Sequence, residues 1–166
     1  MNNTVSLTEY DPVWAKMFQA EAAKLHGLLP EVQIEHIGST SIKGMPAKPS
    51  IDIIIGAVSE DEYRAVVEVL RTNRYVLEGE RARHAWLCFP RTSNRMYILH
   101  VTVLGSDEWL RRRAFRDYLR LQPIEAAKYA ALKLSLSVEY MDDLDAYTRG
   151  KSDYVRNVTH RAMGRH

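Results

Sequence analysis

Residues 36–56 read HIGSTSIKGMPAKPSIDIIIG, and they carry the strongest structural signal in the chain. A short predicted strand, Ile34–Ile37, leads into a Gly-Ser-Thr turn. A proline-containing loop then leads into an apolar second strand that contains one carboxylate, Asp52. A Gly-Ser turn offers backbone amides and hydroxyls at close range, which suits a phosphate. A carboxylate on the following strand suits the metal that accompanies a phosphate. These residues therefore predict nucleotide chemistry.

The composition of the 166-residue chain is that of one globular domain, which we expect to span residues 1–166. Apolar residues make up 46% and charged residues 27%, and the net charge of +2 is too small to indicate nucleic-acid binding by itself. No segment approaches the ~18 consecutive apolar residues of a membrane span, and the polar N-terminal residues do not resemble a signal peptide. The single cysteine, Cys88, excludes an internal disulfide and is expected to be buried. We therefore expect a cytoplasmic protein with no membrane association.

Hydrophobic periodicity predicts an α+β fold. Asp11 and Pro12 begin a first helix, and Ser59 with Glu62 form a capping box that begins a second. Further strands are predicted at Tyr75–Leu77, Ala85–Phe89 and Tyr97–Leu104, and further helices from Ser106 to about Leu121, Pro123 to about Tyr140 and Asp142 to about Ala162. This order of elements indicates a mixed β-sheet with flanking helices and a helical C-terminal half.

Asp52 stands alone among the isoleucines of the second strand, where it shares one face with Ile54. The spacing of Gly38 and Gly44 fits neither a P-loop nor a nucleophile elbow, so neither motif explains the segment. An unpaired carboxylate in an apolar strand is costly. Two explanations remain open: Asp52 pairs with Lys48 or an arginine, or it contacts a metal or a ligand.

Residues 34–56 resemble the signature of the GrpB family, which is assigned to the nucleotidyltransferase superfamily by its fold. The resemblance continues, in the same order, through TEYDPVWAKMF, ILHVTVLGSDEW, FRDYLRLQPIEAAKYAALK and YTRGKSDYV. It implies a nucleotidyltransferase-like fold for nearly the whole chain. In the nucleotidyltransferase arrangement a Gly-Ser turn binds the triphosphate and a carboxylate on the following strand binds the metal. We therefore expect Gly38, Ser39 and Thr40 to bind the phosphates of a nucleotide and Asp52 to bind a divalent metal, Mg²⁺ or Mn²⁺.

The chain departs from the superfamily pattern at the metal site. Active members usually carry carboxylates two positions apart on one strand and a third on a neighbouring strand, and these acids bind two magnesium ions. Here Ile54 follows Asp52 by two positions, and the polar candidate on the later strand is His100. Imidazole suits zinc, iron, manganese or copper better than magnesium. One metal, a different metal or none remain open, and His100 is a metal ligand, an acid or base, or a structural residue.

The remaining histidines carry weaker signals. His36 immediately precedes the turn, and we expect it to orient the Gly-Ser loop, with ligand contact as the alternative. Arg83 and His84 are interpreted as a solvated pair in a loop.

A row of arginines lies on the first C-terminal helix. Arg112, Arg113, Arg116 and Arg120 recur at helical spacing, and most are expected to form a solvated face in which Asp117 pairs with Arg113. Arg116 lies in a segment that matches the family, and it is therefore a candidate for ligand binding.

Two lysines lie on otherwise aromatic and apolar helix faces. Lys133 shares a face with Tyr129, and Lys151 shares one with Tyr147. The lysine stems either pack while their ammonium groups reach water, or both ammonium groups point at a triphosphate. The tyrosines either flank a base, orient the lysines or pack in the core. Lys48, in the loop before Asp52, is a further candidate for phosphate binding.

Three classes of function fit these residues. The first is an enzyme that transfers a nucleotidyl group to a small molecule of unknown identity, with Asp52 and His100 as the catalytic and metal-binding residues. The second is a module that binds a nucleotide or another small anionic ligand but lost a metal-binding carboxylate. The third, a scaffold without a ligand, leaves the embedded charges unexplained. Nucleic acid is a weaker partner because acidic residues balance the arginines and no recognition motif occurs.

Overall fold

The computed structural model describes residues 4–164, and it confirms the predicted α+β class with a helical C-terminal half. In chain order its elements are α1 (Val13–Leu28), β1 (Gln33–Ile37), a 3₁₀ turn (Ser39–Ser41), β2 (Ile51–Ala57), α2 (Glu60–Thr72), β3 (Val76–Arg81), β4 (His84–Arg91), β5 (Asn94–Val103), α3 (Asp107–Leu121), α4 (Pro123–Glu139) and α5 (Leu144–Ala162).

The five strands form one mixed sheet in the order β1-β2-β5-β4-β3. Strands β2 and β5 run parallel, whereas the other neighbouring pairs are antiparallel. A parallel pair needs a long connection, and α2, β3 and β4 supply it. In the resulting register Asp52 lies opposite Ile98, and Ile54 lies opposite His100. The two residues predicted to act together, Asp52 and His100, therefore lie on adjacent strands.

Alternation along β2 and β5 separates the main core from the candidate site, as predicted. Ile51, Ile53 and Ile55 are fully buried on one face, where they join Leu99 and Val101 in a core that includes residues of α1 and α2. The opposite face carries Asp52, Ile54 and His100. There Ile54 is fully buried against Ile37 and Trp109, so α3 covers part of this face.

The C-terminal helices pack against the loop that follows the 3₁₀ turn. Ile42 and Met45 of that loop are buried in one cluster with Leu119, Tyr129 and Val158, which come from three different helices. This cluster attaches the helical half to the loop between β1 and β2, so helix side chains can reach the Gly-Ser turn. Within residues 4–164, no helix combines the length and apolar character that crossing a membrane requires.

Three helix starts have the side-chain caps that the sequence indicates. Ser59 accepts a hydrogen bond from the amide of Glu62 at 3.1 Å, and Ser106 accepts one from Trp109 at 3.4 Å. Asp143 accepts one from the amide of Ala146 at 3.0 Å. These contacts explain why the predicted helix starts lie close to the observed ones.

Two predictions about charged residues were wrong. His84 is the first residue of β4 rather than a solvated loop residue, because β3 and β4 extend further toward their shared turn than predicted. Asp117 pairs with Arg116 at 2.8 Å, and Arg113 instead pairs with Glu35 of β1 at 2.9 Å. A strand packed beside α3 supplies a closer acceptor than the next turn of the helix does.

Candidate functional site

Gly38 lies directly against the carboxylate of Asp52. Its φ of +74° falls in the left-handed region, and a Cβ at this position would lie 2.6 Å from Asp52 Oδ2. Both facts require glycine here. The 3₁₀ turn begins at the next residue, and the hydroxyl of Ser41 closes it by donating to the carbonyl of Gly38 at 2.5 Å. The predicted Gly-Ser turn and the predicted carboxylate thus belong to one site.

A hydrogen-bonded chain of side chains starts at Asp52. His100 Nε2 lies 3.2 Å from Asp52 Oδ1, and His84 Nε2 lies 3.0 Å from His100 Nδ1. His84 Nδ1 lies 3.9 Å from Glu108 Oε2, which is too long for a direct hydrogen bond. The chain therefore runs from the carboxylate through two imidazoles and ends at His84, a residue that sequence reasoning did not select.

The electrostatics of the chain fix its protonation. Burial would raise the pKa of Asp52, but the hydrogen bond from His100 and the charges of Arg112 and Lys48 lower it below its ordinary value. Burial, together with the charge of Arg112, lowers the pKa of His100, and the same two causes lower that of His84 to about 4. Both imidazoles are therefore neutral near pH 7. When neutral His100 donates from Nε2 to Asp52, its Nδ1 carries no proton and accepts from Nε2 of His84. Because His84 is also neutral, its own Nδ1 is then unprotonated and can accept a proton.

Lys133 reaches from α4 to the Gly-Ser turn. Its ammonium donates to Ser39 Oγ at 2.8 Å and to the carbonyl of Pro46, and it lies 5.0 Å from the centre of the Tyr129 ring. The side chain is 2% exposed. Lys133 is therefore a buried cation that faces the predicted phosphate-binding turn and does not snorkel to the surface.

Lys151 and Lys48 gather at the ring of Tyr147. Their ammonium nitrogens lie 4.4 Å and 5.9 Å from the ring centre, and Tyr147 itself is buried. Burial lowers the pKa of both lysines, and the charge of Asp52 partly opposes this at each, so both lie within electrostatic reach of the carboxylate. Tyr129 and Tyr147 serve as buried platforms under cations, which matches the packing and orienting alternatives rather than a pair of rings flanking a base.

Burial lowers the pKa of Lys48, Lys133 and Lys151, which are called the lysine cluster below. Burial and the charges of Lys151 and Lys48 lower the pKa of Lys133 to about 7. Burial and the charge of Lys48 lower the pKa of Lys151 to about 8, although Asp52 opposes this. An anion bound among these lysines would stabilise their charged forms and raise their pKa values.

His36, Thr40 and Arg116 support the turn from behind. The His36 ring stacks on Phe18 at 4.8 Å, and its Nε2 lies 2.9 Å from Thr40 Oγ1. Burial and nearby arginines lower the pKa of His36 to about 4. The Thr40 hydroxyl is thus buried against His36, so a phosphate could reach the residue through its amide but not its side chain. This is the orienting position predicted for His36.

Arg116 does not face the lysine cluster. Its guanidinium donates to the carbonyl of His36 at 3.0 Å and pairs with Glu35 and Asp117, each at 2.8 Å. All of these acceptors belong to β1 or to α3 itself, so the ligand-facing position predicted for Arg116 is not found. Arg120, expected to be solvated, donates two hydrogen bonds, at 2.8 and 3.0 Å, to the carbonyl of Ser41. Within the arginine row, Arg120 thus supports the turn, whereas Arg113 and Arg116 contact β1.

A cavity of about 750 Å³ opens beside Asp52 and His100. Residues of β4, β5, the β3–β4 turn and the start of α3 line it, among them Trp86, Arg95 and Arg112. Arg95 is paired with Glu78 at 3.1 Å. Sequence reasoning missed Trp86, although its position two residues after His84 on β4 places both side chains on the same face.

The donor groups do not fit the two-magnesium centre of the superfamily. Asp52 is the one carboxylate on its strand, and within residues 4–164 no three His, Cys, Asp or Glu side chains converge on a point suited to a metal ion. Both nitrogens of His100 are engaged, one by Asp52 and one by His84. The histidines extend away from Asp52 in a line instead of surrounding a common point, so they lack the arrangement of a metal centre.

Comparisons with known proteins identify the fold and the family. The chain shares its fold with the Cid1 poly(U) polymerase, solved with bound MgATP: the TM-score is 0.50 at 12% identity, over 86% of this chain and 50% of that one. The fold is therefore nucleotidyltransferase-like.

The crystal structure of GrpB from Enterococcus faecalis gives a TM-score of 0.86 at 30% identity, over 96% of this chain and 98% of that one. A UPF0157 protein of Deinococcus radiodurans is 39% identical over 149 residues, which are 90% of this chain and 77% of the relative. The profile of the GrpB protein family matches residues 4–161, and the chain belongs to the GrpB family.

Proposed function

We propose that the protein binds a nucleoside triphosphate, or a small molecule with a similar polyphosphate group, through the lysine cluster and the Gly-Ser turn. One observation carries this proposal: Lys133 of α4 donates to Ser39, and the ammonium groups of Lys48 and Lys151, which lie at the Tyr147 ring, are close enough that their charges lower the pKa of Lys133. A polyphosphate would neutralise all three at once. Asp52, whose charge acts on Lys48 and Lys151, is a single carboxylate that also accepts from His100, so it cannot balance three ammonium groups.

The backbone of the turn supplies further donors. Ser39 and Thr40 begin a helical turn, so their amides have no acceptor within it. Lys133 holds the Ser39 hydroxyl, and the turn is fixed from behind by the contact between His36 and Thr40. Phosphate oxygens would thus meet a rigid set of donors, which limits the entropy lost on binding. The MgATP in the structure of Cid1 supports a nucleotide as the ligand class.

Transfer of a nucleotidyl group is a second candidate function, and the chain from Asp52 through His100 to His84 favours it. In such a transfer an acceptor oxygen forms a bond to the α-phosphorus while the bond to the departing pyrophosphate breaks. The acceptor proton would pass to the free nitrogen of His84, which is an acceptor when both imidazoles are neutral. The adjacent cavity gives the acceptor a place to bind.

Calorimetric titration tests the binding proposal. ATP, GTP, CTP and UTP are titrated separately into the protein, with EDTA and then with Mg²⁺ or Mn²⁺. Lys151→Met should weaken binding about tenfold or more, because a charge-assisted contact is lost. Lys128→Met is the matched control, since Lys128 lies exposed on α4 and pairs with Glu125 at 3.7 Å, outside the cluster. Equal affinities for the two variants would refute the assigned site, and an absence of binding to all four nucleotides would refute the ligand class.

Pyrophosphate release tests the transfer proposal separately. The protein is incubated with the nucleotide that binds and with a pool of small metabolites, and released pyrophosphate is followed over time. Turnover that His84→Gln abolishes, with nucleotide affinity retained, is the expected result for transfer. Binding without turnover would leave the binding proposal in place and remove the transfer proposal.

A further inference from the structure

The cavity beside Asp52 is separate from the lysine cluster. It begins at Asp52 and His100, but none of the three clustered lysines lines it. Its volume of about 750 Å³ lies within the range of small-molecule sites. A polyphosphate bound to the lysines would therefore leave this space available. The cavity can hold a second molecule in contact with the same aspartate.

The charges that line the cavity favour an anion. Each carboxylate there already has a cationic or imidazole partner: Asp52 has His100 at 3.2 Å, Asp107 has Arg111 at 2.8 Å and Glu108 has Arg112 at 2.8 Å. In contrast, the side chains of Arg81 and Arg83 form neither an ion pair nor a hydrogen bond with any residue among 4–164. The lining thus offers two guanidinium groups without partners, and guanidinium matches carboxylate or phosphate geometry.

The cavity lining includes apolar side chains. Trp86 and Ile98 line the cavity, and Trp86 packs closely over Gly79 of the neighbouring strand. A Cβ at Gly79 would lie 2.3 Å from Cζ2 of the Trp86 ring, so the glycine gives the indole room to lie against the sheet. The indole therefore presents a surface that suits a ring or hydrocarbon part of a ligand.

We infer that this cavity binds a second small molecule that carries a carboxylate or phosphate group on a ring or hydrocarbon body. Arg81 and Arg83 bind the anionic group, and Trp86 contacts the body. If nucleotidyl transfer occurs, this molecule is the acceptor, because the cavity reaches Asp52 and His84. This inference rests on the proposed function only in counting the molecule as a second ligand, because binding in the cavity requires no nucleotide.

The indole N–H resonance of Trp86 provides a local probe. The chain has three tryptophans, and Trp14 and Trp109 are each 3% exposed, whereas Trp86 lies at the cavity. Trp86→Phe identifies the resonance in a two-dimensional NMR spectrum. Inorganic phosphate and succinate are then titrated separately at constant ionic strength. A saturable shift of the Trp86 resonance is expected for at least one probe, and the probe that binds more tightly identifies the anionic group.

Variants separate the cavity from the lysine cluster. The double variant Arg81→Ala/Arg83→Ala should weaken the probe's binding about tenfold or more, since two guanidinium contacts are removed. Both arginines are exposed, so the fold should tolerate the change. Two control variants should leave the Trp86 shift unchanged: Arg91→Ala, at an exposed position at the other end of β4, and Lys151→Met.

The inference is overturned by a linear, unsaturable shift with both probes. It is equally overturned by a shift that Lys151→Met abolishes while the double arginine variant retains it. Neither result bears on nucleotide affinity, which is measured separately.

Discussion

Asp52 and His100 form one hydrogen-bonded unit, because Nε2 of His100 lies 3.2 Å from Oδ1 of Asp52 across the parallel pair β2 and β5. The contact orients His100 so that its other nitrogen accepts from His84. It also holds the aspartate ionised, since the hydrogen bond offsets the burial that would raise the pKa of Asp52. The carboxylate is therefore both a member of the candidate site and a titrating contributor to stability.

Asp52→Asn should remove an acid-dependent part of the free energy of unfolding. The pKa of Asp52 is lower in the folded than in the unfolded chain, so its stabilisation is present above the unfolded value, about 4, and is lost as the pH falls through the folded value. Urea unfolding at neutral pH should show the variant to be less stable than the wild type, and the difference should vanish in acid. A difference that persists unchanged in acid would show that Asp52 acts through its shape rather than its charge.

Gly38→Ala should destabilise the protein much more than Gly44→Ala. Both glycines have positive φ values, +74° and +85°, so both substitutions place alanine in a backbone conformation that L residues rarely adopt, at a cost of about 1–3 kcal/mol. Only at Gly38 would the new methyl group also collide with Asp52, at 2.6 Å, whereas nothing lies within 4 Å at Gly44. We expect a total cost of roughly 3 kcal/mol or more for Gly38→Ala. Urea unfolding measures both, and equal costs would mean that Asp52 moves aside freely.

Residues that interrupt or mark a periodic pattern could be identified from the sequence. Asp52 among isoleucines, Lys133 on an aromatic face and the capped helix starts are visible in the chain because each breaks or marks a periodic pattern. The fold class, the mixed sheet and the separation of its two faces followed from the same patterns. The family resemblance then connected these features to a nucleotidyltransferase-like fold.

Pairings between distant segments were not visible in the sequence. Arg116 and Arg120 were members of one helical row, yet they bind carbonyls of His36 and Ser41, about 80 residues earlier in the chain. The register of β4 and β5 places Trp86 opposite His100, so His84, two residues before Trp86, lies within hydrogen-bond distance of His100. Register and helix docking determine such contacts, and local spacing contains little information about either.

Arg116→Met should lower stability without changing the lysine cluster directly. Removal of this arginine, which is 6% exposed, leaves the His36 carbonyl without its buried donor, whereas Glu35 keeps its contact with Arg113. The expected cost is therefore about 1–3 kcal/mol. Arg156→Met on α5 is the control, because Arg156 forms an exposed pair with Asp153 and should change stability by less than about 0.5 kcal/mol. Thermal unfolding of both variants provides the measurement. A small effect at Arg116 would indicate that water replaces its donors.

Lys133→Met should stabilise the free protein while it weakens ligand binding. The folded chain lowers the pKa of Lys133 to about 7, so the buried charge costs free energy at and below neutral pH. As the pH rises from about 7 to 10, the unfolded chain binds more protons at this position than the folded chain, and wild-type stability should rise. Methionine removes the charge, with an expected gain on the order of 1–4 kcal/mol at neutral pH.

Urea unfolding of the Lys133→Met variant at several pH values tests this gain. The difference from the wild type should shrink as the pH rises, whereas Lys128→Met should follow the wild type throughout because Lys128 is exposed. A variant that is less stable at every pH would show that the hydrogen bonds from Lys133 to Ser39 and Pro46 outweigh the cost of its charge.

Binding of a polyphosphate should be accompanied by proton uptake at about pH 8. In the free protein the pKa of Lys133 is about 7 and that of Lys151 about 8, so both are partly or largely neutral at that pH. Bound phosphates favour the charged forms and raise both pKa values, and protons are therefore drawn from the buffer. Calorimetric titrations of ATP in two buffers with different ionisation enthalpies give the number of protons taken up. That number should fall toward zero near pH 6, where both lysines are already charged, and Lys133→Met should reduce it at pH 8. Tight binding with no proton uptake at pH 8 would place the phosphates away from the lysine cluster.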